Sequence, residues 1–123
     1  MSSLGVGFYG SRNAPTEGTF MYIRIVTFGI NIPEEQYATL TETIAPIFAA
    51  WPGLVAKWWL RDSAAGVYGG VYLFEDRAAA DLSRTTQLFA DMAGNAAFRG
   101  LEICEYNVFA EASRITAPTM VDQ

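Results

Sequence analysis

The chain has 123 residues, of which 51% are hydrophobic and 17% charged, and it carries a net charge of -5. This suffices for one domain with a real core, and the acidic balance argues against a phosphate-binding surface of clustered Lys and Arg. Histidine is absent, which excludes Ser-His-Asp and Cys-His nucleophilic machinery, the facial triad of non-haem iron, histidine-ligated haem and the usual zinc sites.

Residues 1–19 are rich in Gly, Ser, Asn, Pro and Thr without a sustained period, and read as a flexible arm. They lack the basic and continuous apolar regions of a secretory signal. The domain is expected over residues 20–118, with a short tail at 119–123. Phe20 to Phe28 alternates as a strand does. Asn31, with Glu34 three residues on, has the spacing of a capping box, and Pro33 suits the first turn. Tyr37, Leu40, Ile44, Ile47, Phe48 and Trp51 then follow at helical spacing, with Pro46 inside the stripe expected to kink the helix.

Pro52-Gly53 ends that helix. Strands are expected at Leu54–Arg61 and Val67–Glu75, joined by a polar turn as a hairpin. Asp76 caps a second helix that places Ala79, Leu82, Thr86 and Phe89 inward, and a shorter helical turn follows around Asp91–Ala97. The last strand is expected at Leu101–Ala110, and the tail from Glu111, which contains Pro118, as extended chain. The order β-α-β-β-α-β is a split βαβ unit: an α+β, ferredoxin-like domain with both helices on one face of a four-stranded antiparallel sheet.

Parity then divides each strand into two sets. Assigning the blander set to the helices leaves Tyr22, Arg24 and Val26, then Val55, Lys57, Trp59 and Arg61, then Tyr68, Gly70, Tyr72 and Phe74, and finally Ile103, Glu105, Asn107 and Phe109 on an uncovered face. A one-residue error would exchange the sets. Such an aromatic face is too apolar to leave in water, so a homodimer is expected, enclosing a small-molecule cavity. In that setting Arg24, Lys57 and Glu105 are the candidate catalytic groups. Arg24, Lys57 and Asn107 would hold an oxyanion, and Glu105, its pKa raised by an apolar cavity, or a tyrosinate would act as base. Tyr22, Trp59, Tyr68, Tyr72 and Asn107 are the candidate substrate-binding groups. The competing reading makes Arg24 and Glu105 a salt bridge, Lys57 a rim residue and the aromatics packing. Trp58 and Trp59 point to opposite faces, and Cys104 reads as an inert buried hydrophobe.

No Asp-rich loop of EF-hand spacing and no glycine-rich phosphate cradle follows a strand, so no metal or cofactor is expected. No apolar run approaches the ~20 residues that span a bilayer, and the single cysteine fits a reducing cytoplasm. Neither membrane nor nucleic acid is an expected partner.

Pro-Gly-Leu-Val-Ala-Lys-Trp-Trp, Gly-Gly-Val-Tyr-Leu-Phe-Glu-Asp, Pro46 within the first helix and Asn107-Val108-Phe109 late in the last strand together resemble the YdhR-like monooxygenases of the dimeric α+β barrel superfamily, relatives of the antibiotic-biosynthesis monooxygenases. The resemblance spans Met21 to Pro118 and implies a homodimeric barrel that oxygenates a small aromatic or polyphenolic compound without metal, haem or flavin. It supplies no agreed catalytic signature. An isomerisation, cyclisation or decarboxylation in the same pocket, or a non-catalytic small-molecule-binding dimer, remain the alternatives.

Overall fold

The computed structural model describes residues 21–118; the expected arm at 1–19 and tail at 119–123 lie outside them. Eight elements follow in order: β1 (Tyr22–Ile30), α1 (Glu34–Ala49), β2 (Leu54–Asp62), β3 (Val67–Phe74), α2 (Arg77–Ser83), α3 (Gln87–Ala93), β4 (Phe98–Asn107) and α4 (Ala110–Thr116). The strands form one sheet in the order β2-β3-β1-β4, every neighbouring pair antiparallel. This is the ferredoxin-like α+β fold.

Local chemistry explains most of the boundaries. At the β2–β3 turn the Asp62 carboxylate accepts from Ala65 N–H at 3.2 Å, and Gly66 takes φ 69°. Asp76 caps α2 by accepting from Ala79 N–H at 2.8 Å. The expected single helix after Asp76 is two: Thr86 lies between them and accepts from Phe89 N–H, capping α3 instead of facing inward. Leu82 is correspondingly exposed. At α1, Pro33 occupies the cap position without a side-chain cap; Asn31 instead donates to Ala96 O at 2.9 Å, tying β1 to the chain before β4. Pro46 sits inside α1, and the segment from Ala110 is helical, not extended.

The sheet register groups residues as parity predicts. Lys57, Tyr72, Arg24 and Glu105 lie side by side in one cross-strand row, and Trp59, Gly70, Val26 and Ile103 in the next. The cover is the reverse of the expectation. Tyr22, Val26, Phe28, Tyr68, Tyr72 and Phe74 pack against Tyr37, Phe48 and Trp51 of α1 and its C-terminal end and Ala79 and Ala80 of α2. The opposite face carries the largely aliphatic rows Trp58–Val71–Ile25–Cys104 and Ala56–Leu73–Ile23–Tyr106, of which Leu73 is buried. Trp58 and Tyr106 are 51% and 57% exposed there, and Cys104 is exposed rather than buried.

The reason is complementarity. The helices present their own aromatic rings and, at α2, a hydroxyl and a backbone carbonyl, so the mixed set finds partners beneath them. A bland set needs none. At Leu54/Ala56 the β2–β3 register shifts. Leu54, expected in the same set as Ala56, therefore joins the helix side and packs on the core.

Candidate functional site

Arg24 is 1% exposed and is held from three sides. Its Nε donates to Glu105 Oε2 at 2.6 Å, Nη1 to Ser83 Oγ at 2.9 Å and Nη2 to Ala80 O at 2.8 Å. Its guanidinium also lies 4.9 Å from the Phe74 ring centre and 5.5 Å from that of Phe89. A buried guanidinium is tolerated only when paired and hydrogen-bonded, and these partners staple β1 to α2 and β4. Arg84 Nη2 donates to the same Glu105 oxygen at 2.9 Å. Burial alone would raise the Glu105 carboxyl, but the hydrogen bonds and charges of Arg24 and Arg84 outweigh it and hold the carboxyl below its ordinary value. The raised value expected for a base at Glu105 is therefore corrected: the paired form is the acceptor of two arginines. Tyr22 joins this cluster with its hydroxyl 3.5 Å from Glu105 Oε1, and burial followed by the Glu105 charge keeps it protonated.

Lys57 stands at the other end of the same row, in a different environment. Its Nζ lies 3.2 Å from the ring centre of Phe48, 3.6 Å from that of Trp59 and 4.4 Å from that of Tyr72. Among the described residues no carboxylate pairs with it. Three ring faces give back about 0.5–1 kcal/mol each to an exposed ammonium and about 2 kcal/mol or more to a desolvated one, against several kcal/mol for taking that ion out of water. Burial, with the positive charge of Arg24 second, lowers Lys57 to about 6. The shift favours the uncharged amine at neutral pH. Tyr72 is 3% exposed, and burial raises its hydroxyl well above the ordinary tyrosine value, so it stays a donor. Among the described residues that hydroxyl has no hydrogen-bond partner.

The remaining candidates are separate. Tyr68 donates to Glu34 Oε1 at 2.8 Å, near the β2–β3 turn, where Ser63 donates to the same oxygen at 2.5 Å. Asn107 is exposed at the end of β4, opposite Tyr22. Arg24, Glu105 and Tyr22 thus form one cluster and Lys57, Trp59 and Tyr72 another, with the Tyr72 ring between them 5.6 Å from the Arg24 guanidinium.

A hollow of about 320 Å³ opens beside Lys57, lined also by Phe48, Ala49, Leu54, Val55 and Trp59. That is the lower end of small-molecule site volumes. Deeper between sheet and helices, Tyr72, Trp51, Phe89 and Met92 leave only about 20 Å³, room for about one water. A larger hollow of about 540 Å³ beside Gly29, Gly66 and Arg99 touches none of the candidate residues. No group of three or more His, Cys, Asp or Glu among the described residues could hold a metal ion. No helix among them is long and apolar enough to cross a membrane.

The family model described as "Putative mono-oxygenase ydhR" matches residues 23–119. The chain belongs to this family. No curated protein matches the chain. Among solved structures it is similar to SnoaB, a cofactor-independent oxygenase from Streptomyces nogalater, at 18% identity and a TM-score of 0.61, over 72% of this chain and 93% of that one. It is also similar to a protein from Caulobacter crescentus described as a putative antibiotic biosynthesis monooxygenase, at 19% identity and a TM-score of 0.58, over 76% and 93%. A variant of MhuD with two manganese protoporphyrin IX molecules per active site matches at 16% identity and a TM-score of 0.58, over 72% and 94%. At these identities the likeness establishes the shared fold. The paired glycines of β3 have a structural reason. At Gly69 a Cβ would collide with the Val26 carbonyl and φ is 139°, while at Gly70 a Cβ would sit 2.8 Å from Lys57 Cε. The first glycine lets β1 and β3 pair, and the second leaves room for the stem of the half-buried lysine.

Proposed function

We propose that the chain is a cofactor-independent monooxygenase for a small aromatic or polyphenolic compound, acting as a cytoplasmic homodimer. Family membership supports oxygenation, and the observation that carries the reading is the Lys57 amine, without a carboxylate partner among the described residues, set among three ring faces beside the 320 Å³ hollow. A flat substrate lies against Trp59 and Phe48. Lys57 takes a proton from its phenol or activated CH₂ and then, as an ammonium, faces the anion it has made. The carbanion form reduces dioxygen; one oxygen atom converts CH₂ to C=O and the other leaves as water. Tyr72 donates to the substrate oxygen, and the Arg24–Glu105 pair holds the Tyr72 side of the row. Tyr22, Tyr68 and Asn107 stand apart from this hollow.

The second copy covers the aliphatic rows around Ile25, Trp58 and Val71, which are too apolar for water. A reducing cytoplasm suits the exposed Cys104.

Oxygen consumption with a panel of hydroquinones and anthrones tests the reading. One dioxygen per substrate is expected, with or without chelator, and Lys57→Met should lower kcat by roughly 10²-fold or more. Turnover of the same compounds without oxygen would instead indicate isomerisation, cyclisation or decarboxylation. Ligand-dependent thermal stabilisation without turnover would indicate a binding protein.

A further inference from the structure

We propose that Lys57 and Tyr72 form a covalent site for an aldehyde or ketone borne on an aromatic scaffold, the ε-amine adding to the carbonyl carbon and the phenol serving the carbonyl oxygen. Lys57 is the only lysine of the chain, beside seven arginines. A lone lysine kept for solubility would sit on the surface with its head in water. This one is drawn into an aromatic cage with no carboxylate partner among the described residues, and Gly70 provides the space for its stem. Desolvation in an apolar pocket beside a second cation is how a lysine becomes a carbonyl nucleophile. Both conditions are met: burial comes first and the Arg24 charge second. Among the described residues Arg24 from β1 is the charged group that acts on the amine, while β3 presents the Tyr72 ring and α1 the Phe48 ring.

The nitrogen lone pair attacks the carbonyl carbon, and the proton lost by nitrogen moves to oxygen to give a carbinolamine. Tyr72, buried, protonated and unpartnered among the described residues, donates to the departing oxygen. Water leaves, the imine forms, and Tyr72 regains its proton from the nitrogen. No oxidation state changes, and water reverses the addition. The step needs neither dioxygen nor a phenol substrate, so its failure and that of the oxygenase reading are distinguishable.

The test is reductive trapping of the full chain under nitrogen with benzaldehyde and sodium cyanoborohydride, read by peptide mass spectrometry. A single benzyl adduct at Lys57 is expected, its rate rising through pH about 6. At pH 7 the free-amine fraction exceeds that of an ordinary lysine by a factor on the order of 10³. Lys57→Met should abolish that adduct, and Tyr72→Phe, which keeps the ring, should slow labelling roughly 10-fold or more. Labelling confined to the N-terminal amine, or a Lys57 rate that climbs only toward pH 10, would overturn the site. Tyr72→Phe labelling as fast as the parent would remove the phenol from it.

Discussion

Arg24 and Lys57 share one row of the sheet yet hold opposite electrostatic positions, and the difference lies in their partners. Arg24 cannot lose its proton, so burial forces it to find Glu105, Ser83 and the Ala80 carbonyl. Lys57 can lose its proton, and in the cage it does so near pH 6. Glu105→Gln leaves the buried guanidinium facing a neutral amide, so a loss of about 3 kcal/mol is expected in urea unfolding at pH 7. The folded-state value of Glu105 is lowered, so its contribution is complete above the ordinary carboxylate range. It fades as pH falls through the lowered value, and the gap between parent and variant should close in acid. The Arg24–Glu105 pairing was legible as two residues of one parity set. The state of Lys57 was not, although one signal was present: a single lysine set within an aromatic strand.

The elements followed their local chemistry except where a distant partner competed. The Asp76 cap and the turn at Asp62–Gly66 are short-range and were readable. Asn31 had capping-box spacing, but its side chain reaches Ala96, 65 residues away, an interaction no local pattern announces. The paired glycines of β3 separate the two kinds of constraint. Gly69→Ala places a Cβ against backbone at a positive φ, where nothing can yield, so stability should fall by about 3 kcal/mol in thermal or urea unfolding. Gly70→Ala meets chiefly the flexible Lys57 stem at 2.8 Å, with the Trp58 carbonyl at 3.3 Å a milder contact. It should fold nearly as well but displace the amine, returning its titration toward that of an ordinary lysine in a pH series of reductive labelling. Equal damage from the two substitutions would contradict this division.

At the scale of the molecule, the uncovered sheet face offers Ile23, Ile25, Val71 and Trp58 rather than the tyrosines and arginine. Sedimentation equilibrium should give about twice the 13.5 kDa chain mass. Ile25→Lys, which puts a charge in the middle of that face, should weaken association by roughly 10²-fold or more without unfolding the chain. A monomeric parent would remove the dimer from the proposed function. The succession of the four strands, the ferredoxin-like class and the membership of each parity set apart from Leu54 and Phe109 were determined by sequence alone, because alternation, caps and turns act over a few residues. Only the tertiary structure decided which set the helices cover. The two faces of a strand are equivalent until something packs on one of them, and here the rings of Phe48 and Trp51 and the acceptors of α2 suit the aromatic and charged set. That choice turned the candidate residues inward, paired Glu105 with two arginines and left Lys57 as an uncharged amine.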